Sequence, residues 1–109
     1  MSLKLTLREL EVLVAVADAG SVTQAASQLA MTQSAASQAL ATLETQLSVQ
    51  LFDRIGRKLI LNEHGRLLLP NARAMLDTAR AAEQLFEGTA ALRLGASTTI
   101  ANYLLPQGL

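Results

Sequence analysis

From Ser21 to Leu43 the chain runs for 23 residues without a charged side chain, and eleven of those residues are Ser, Thr or Gln. The stretch is long enough to cross a bilayer if it were apolar. Its hydroxyls and amides, however, would enter hydrocarbon without partners, at a cost that rules out insertion. It must therefore fold in water, as short helices with small apolar positions inside and an uncharged polar surface outside. The N-terminus does not read as a signal peptide either, because the apolar run from Leu10 to Ala17 is broken by Glu11 and its flanks are acidic. No membrane role and a cytoplasmic location are expected.

Composition narrows the chemistry. Half of the residues are apolar and only two of 109 are proline, which suits a helical globular protein with one compact domain as the default. With no cysteine there is neither a disulfide framework nor a thiolate metal site, and one histidine cannot hold a metal alone. Nine basic residues offset nine acidic ones, so a nucleic-acid reading must rest on local arrangement.

Thr6 is a candidate N-cap for a first helix, with Leu7, Leu10, Leu13, Val14 and Ala17 as its apolar stripe and Gly20 at its end. Ser21 caps a second, short helix whose inward side is Val22, Ala25, Ala26 and Leu29. A third starts at Thr32, whose hydroxyl can cap the amide of Ser34 or Ala35, and continues to about Leu47. Ala36, Leu40, Leu43 and Leu47 form its buried stripe, which leaves Gln33, Ser34, Ser37, Gln38, Ala41 and Thr45 on the other side. Such a face also fits a merely solvated helix. Ordinary surface helices, though, draw on Glu and Lys for solubility and for pairs four residues apart. A DNA-facing helix avoids carboxylates, which phosphates repel, while Gln can pair with adenine and Ser or Thr can bond a base edge or a phosphate.

Next come two short apolar stretches around Gly56, predicting a small β-hairpin, or wing, with Arg54, Arg57 and Lys58 gathered at its tip. Asn62 is a candidate N-cap for a long fourth helix running to about Glu87, with Gly88 beyond it. In that helix Leu68, Ala72, Met75, Ala79, Ala82 and Phe86 repeat with a seven-residue period. The seam fits docking on the chain's own domain, or pairing with a second chain; the length of the helix favours pairing. Pro70 predicts a kink and not a stop. His64 stands without a Ser, Cys or Asp constellation suggestive of a triad, and no glycine-rich phosphate loop is present, so no catalytic or metal residue is expected and an enzyme is disfavoured.

In this order of elements, the segments Gly20-Ser21-Val22-Thr23-Gln24-Ala25-Ala26, Thr32-Gln33-Ser34-Ala35-Ala36-Ser37-Gln38-Ala39-Leu40, Leu43-Glu44, Leu51-Phe52-Asp53-Arg54, Arg57 and Leu61-Asn62-Glu63-His64-Gly65 resemble the N-terminal part of LysR-type transcriptional regulators. The resemblance covers essentially residues 3–90 and implies a mainly α fold. That fold would be a winged helix-turn-helix over residues 1–62, a linker helix for dimerisation over 63–88, and over 89–109 a hinge with the start of an effector-binding domain. It implies sequence-specific binding of double-stranded DNA by a homodimer, with a higher oligomer open to the intact protein. Gln33, Ser34, Ser37 and Gln38 would read bases in the major groove. Thr32, Arg54, Arg57 and Lys58 would meet the backbone and minor groove, and Leu68, Ala72, Met75, Ala79, Ala82 and Phe86 would form the dimer interface.

Three departures from the family pattern stand out. Gln38 replaces a frequent Arg or Lys, Ser34 a frequent Pro, and Leu61-Asn62-Glu63-His64-Gly65 a common Leu-Thr-x-Ala-Gly. Without a cation at position 38, adenine or a water-mediated contact is favoured over guanine. The segment from Leu92 to Ile100 resembles the first strand and turn of the family's effector domain, with Ser97, Thr98 and Thr99 where an anionic effector often binds. The chain reads as a fragment: residues 92–109 are expected to be irregular, no cofactor is expected here, and a small anionic effector is implied for the intact protein. The alternative from the residues alone is a helical protein-interaction module without DNA specificity. Single-stranded RNA binding is disfavoured because Phe52, Phe86 and Tyr103 are the only aromatics.

Overall fold

The computed structural model describes residues 3–95, and side-chain surroundings for residues 3–87. The elements follow in the order α1 (Leu7–Ala19), α2 (Val22–Gln28), α3 (Gln33–Leu47), β1 (Phe52–Ile55), β2 (Lys58–Leu61) and α4 (Glu63–Gly95). Two compact units divide at Leu76, so the first unit holds everything up to the early turns of α4 and the second begins at Asp77.

Local chemistry sets the helix starts. Thr6 and Glu9 form a reciprocal capping box, the Glu9 amide donating to Thr6 Oγ1 at 3.2 Å and the Thr6 amide to Glu9 Oε1 at 3.0 Å. Ser21 accepts from the Gln24 amide and Thr32 from the Ala35 amide, each at 3.0 Å. Gly20, at φ +78°, takes the left-handed conformation that ends α1 and lets the chain turn at once into α2.

α1 lies at the centre, with α2, α3 and β2 against it. Its burial is wider than the expected stripe: Val12, Ala15 and Val16 are sealed along with Leu10 and Leu13, whereas Leu7 is exposed. A helix covered from several sides has no single inward face, which is why a one-stripe reading undercounts it. Ala25 and Ala26 of α2 and Ala36, Leu40 and Leu43 of α3 complete the helical core, with Leu47 half-buried. Each large aliphatic buried there contributes about 1.5–3 kcal/mol.

The hairpin closes through a two-residue turn, Gly56-Arg57, between the paired Ile55 and Lys58, with Gly56 at φ +62°. Its inner end is fixed by Phe52 and Leu51 in the core and by the Leu59 amide donating to the Gly20 carbonyl at 3.1 Å. α4 starts where Asn62 Oδ1 accepts from the Gly65 amide at 2.9 Å, and it continues through Pro70.

Two sequence expectations are corrected along α4. The helix does not stop near Glu87 but continues to Gly95. A lone glycine within a helix costs only about 1 kcal/mol relative to alanine, and the Ala-Ala-Leu-Arg-Leu that follows Gly88 consists of strong helix formers. Residues 92–95 are therefore helical, neither strand nor irregular, and residues 96–109, Ser97, Thr98 and Thr99 included, lie outside the described residues. The seam also divides. Ala72 is fully buried in the core of its own unit, and Leu68 and Met75 are half-buried against that core together with the buried Leu76. Ala72 is thus a docking residue within its own unit and has no exposed surface to offer a second chain.

Candidate nucleic-acid interface

The face that the sequence singles out on α3 is open. Gln33, Ser34, Ser37, Gln38, Ala41 and Thr45 are all exposed, as is the cap residue Thr32. Gln33, Ser34, Ser37, Gln38 and Ala41 share one shallow depression along the helix. Thr32 is committed through its hydroxyl to the Ala35 amide, which leaves it a cap first and a candidate backbone contact second. Gln38 is held along the helix by its Nε2, which donates to Thr42 Oγ1 at 3.2 Å, so one of its two amide hydrogens is occupied while its oxygen stays unengaged. Thr42 was not anticipated as part of the site; only its spacing of four residues from Gln38 signals it.

A groove separates α3 from the hairpin and brings the two together as one surface. Ser37, Ala41 and Glu44 line it from the helix, and Phe52, Asp53, Arg54 and Leu59 from the strands. The antiparallel register pairs Arg54 with Leu59 and Phe52 with Leu61, which puts Arg54 on the side of the hairpin that carries the buried Phe52. The three cations are therefore not all at the tip. Arg57 occupies the turn and Lys58 opens β2, while Arg54 sits lower, on the groove.

Polar engagement separates this cluster from the other arginines whose surroundings are described. Arg8 bonds Glu11 at 2.9 Å, Arg73 bonds Asp18 at 2.7 Å, Arg80 meets Asp77 at 3.4 Å, and Arg66 donates to the Leu61 carbonyl at 2.8 Å. Arg54, Arg57 and Lys58 have no ion pair or side-chain hydrogen bond among the described residues and are exposed. Three unneutralised cations beside an uncharged polar helix suit a polyanion whose groove edges carry donors and acceptors. His64 is exposed in the first turn of α4, and no group of three His, Asp or Glu side chains gathers among the described residues. No described helix is long and apolar enough to cross a membrane.

Residues 7–66 match the family profile described as bacterial regulatory helix-turn-helix protein, lysR family. The chain belongs to this family. This LysR-family chain is 57% identical over 103 residues to the uncharacterized HTH-type transcriptional regulator YeiE of Escherichia coli K12, a match covering 94% of the chain and 35% of that relative. It thus spans about a third of that relative's length. Among solved structures, Corynebacterium glutamicum OxyR superposes with a TM-score of 0.77 at 38% identity over 81% of this chain and 28% of that one. The DNA-binding domain of CbnR in complex with DNA gives 0.71 at 30% identity over 79% of this chain and 99% of that one. The LysR fold of winged helix-turn-helix and linker helix is therefore the fold of this chain.

In the second unit, Ala82 and Phe86 are exposed and Ala79 half-exposed. These three residues complete the seven-residue seam within the second unit.

Proposed function

We propose that this chain is the operator-binding part of a transcriptional regulator and reads duplex DNA as a homodimer. α3 enters the major groove, where Gln33, Ser34, Ser37 and Gln38 meet base edges. Arg54, Arg57 and Lys58 contact phosphates and the minor groove, with Thr32 against the backbone. Two copies pair through Ala79, Ala82 and Phe86 of α4, with Leu68 and Met75 at the margin. Two α3 helices then meet successive major grooves about 34–36 Å apart on one side of the DNA. The observation that carries the reading is the exposed, uncharged face of α3 next to three cations that no carboxylate neutralises.

Few cations per subunit make the salt dependence of binding modest for a DNA-binding dimer, since the slope scales with the phosphates neutralised. The relatives are named as transcriptional regulators, and the reading gives this chain no catalytic role. For the intact protein we place a small anionic effector in the part that follows the described residues, on the strength of the family alone.

Binding-site selection from a random duplex pool tests the reading. A two-fold symmetric site should emerge, with half-sites about one helical turn apart or a multiple of it. Gln33→Ala should lose about 1–3 kcal/mol of discrimination per half-site with the circular dichroism spectrum unchanged. A pool that stays unenriched, or a Gln33→Ala protein that discriminates as well as its parent, would falsify it.

A further inference from the structure

The peptide segment at Leu51 joins the reading helix to the linker helix. From one side Glu44, the only charged residue of α3, accepts the Leu51 amide on Oε2 at 2.8 Å. From the other, the Asn62 amide donates to the Leu51 carbonyl at 3.0 Å and Asn62 Nδ2 donates to the neighbouring Gln50 carbonyl at 2.9 Å. The same Asn62 then caps α4 through the Gly65 amide. Gly65 is buried against the Leu51 carbonyl, so closely that a methyl group there would overlap the oxygen. Leu51 itself is 1% exposed, so this backbone cannot shift without opening the core.

The arrangement exceeds what helix capping needs. A Ser or Thr at position 62 would cap α4 with one oxygen. Asn adds a donor, and that donor goes back to the segment that Glu44 holds. A second polar tie between α4 and the helical core, the Arg73–Asp18 pair, is about half exposed on both sides and of small worth in solvent. The hydrogen-bonded path from Glu44 through Leu51 to Asn62 and Gly65 is short, partly buried and runs directly from α3 to the first turn of α4.

We propose that Glu44 and Asn62 are positioning residues that fix the orientation of the reading helix against the linker helix, and so determine which spacing between half-sites the dimer accepts. The inference rests on the dimeric operator-binding reading above. Neither residue needs to touch DNA. Glu44 is turned to the Leu51 amide, and for that reason an acid is tolerated on a helix that otherwise excludes charge.

The test measures affinity of the chain for a set of duplexes with fixed half-sites and spacers varied one base pair at a time. Each added base pair rotates the second half-site by about 35°, since a turn holds about 10.5 base pairs. The parent should lose at least about tenfold in affinity one base pair from its optimum. Glu44→Ala and Asn62→Ala should flatten that profile to within about threefold, and in Asn62→Ala, which lies away from the groove, half-site sequence preference should be unchanged. Glu44→Gln, which keeps an acceptor oxygen, should restore it. Asn62→Thr keeps the cap but loses the bond to Gln50, so it tests the joint without removing the helix start. A parent-like profile in the folded Asn62→Thr and Glu44→Ala proteins overturns the proposal. A parent without any spacing optimum overturns the dimeric reading on which it rests, and the two failures differ in which protein shows the flat profile.

Discussion

Two exposed helical surfaces on this chain differ in kind. The outward face of α3 carries amides, hydroxyls and Ala41 but no charge, its one acid being turned to the Leu51 amide. The described residues of α4 beyond Leu76 carry Asp77, Arg80, Glu83 and Glu87 around a stripe of Ala79, Ala82 and Phe86, with Asp77 and Arg80 paired one turn apart. The α4 stretch is how a helix ordinarily meets water, with charges of both signs flanking an apolar seam. It acts as an internal control for α3: the chain has carboxylates to place on helix surfaces and places none on this one. The difference teaches what each surface is suited to meet, a second apolar helix in one case and an anion with hydrogen-bonding edges in the other.

The largest expected effect comes from putting the same charge on both surfaces. Ser37→Glu sets a carboxylate where phosphates and base acceptors would approach, and should cost on the order of 2–3 kcal/mol of DNA affinity, roughly a hundredfold. Ala81→Glu, on the exposed α4 stretch, should change it by no more than about twofold. Equal responses in a fluorescence-anisotropy titration would erase the distinction between the two faces.

Next in size is the seam. Phe86 is 63% exposed in the single chain, so Phe86→Glu should leave the fold of the subunit unchanged, read as an unaltered circular dichroism spectrum. It should weaken dimerisation by about 2 kcal/mol, roughly thirtyfold in Kd. Sedimentation equilibrium reads this directly, and an unchanged dimer would assign the seam to something other than self-association. Met75 is a poorer place for the same charge, because it is half-buried against its own core and a carboxylate there would perturb folding as well.

What was legible in the sequence follows the range of the forces involved. Thr6, Ser21, Thr32 and Asn62 could be read as caps, and Gly20 as a stop, because a capping hydroxyl or amide acts within three residues of itself. The hairpin around Gly56 was legible for the same reason, though not the exact turn, which leaves Arg54 lower on the strand. The seven-residue period of α4 marks an apolar face but not what meets it. Its first half, through Ala72 and Met75, is covered or partly covered by α4's own unit, and that is decided by residues far away in sequence. Glu44 was invisible in the same way, since nothing near it foretells that its carboxylate meets the amide of Leu51. Gly88 was misread as a stop because helix propensity sums over a window, and one glycine is outvoted by the residues after it.

The smallest expected effect concerns how α3 presents its face. Gln38 donates one amide hydrogen to Thr42 Oγ1, leaving its oxygen and its second N–H available as an acceptor–donor pair. That pair matches the N6 donor and N7 acceptor of adenine in the major groove, and guanine offers two acceptors instead. Thr42→Val keeps the branched shape, and with it the helix propensity, but removes the acceptor. Gln38 would then lose its pre-set rotamer, and fixing it again on DNA costs about 0.5–1.5 kcal/mol. Preference for adenine at one position of each half-site should therefore fall a few-fold, with non-specific affinity, governed by the wing cations, unchanged. Competition titrations with single-base operator variants check this: if adenine preference survives Thr42→Val intact, the hydrogen bond is incidental, and the α3 face acts as a set of independent side chains and not as a preorganised surface.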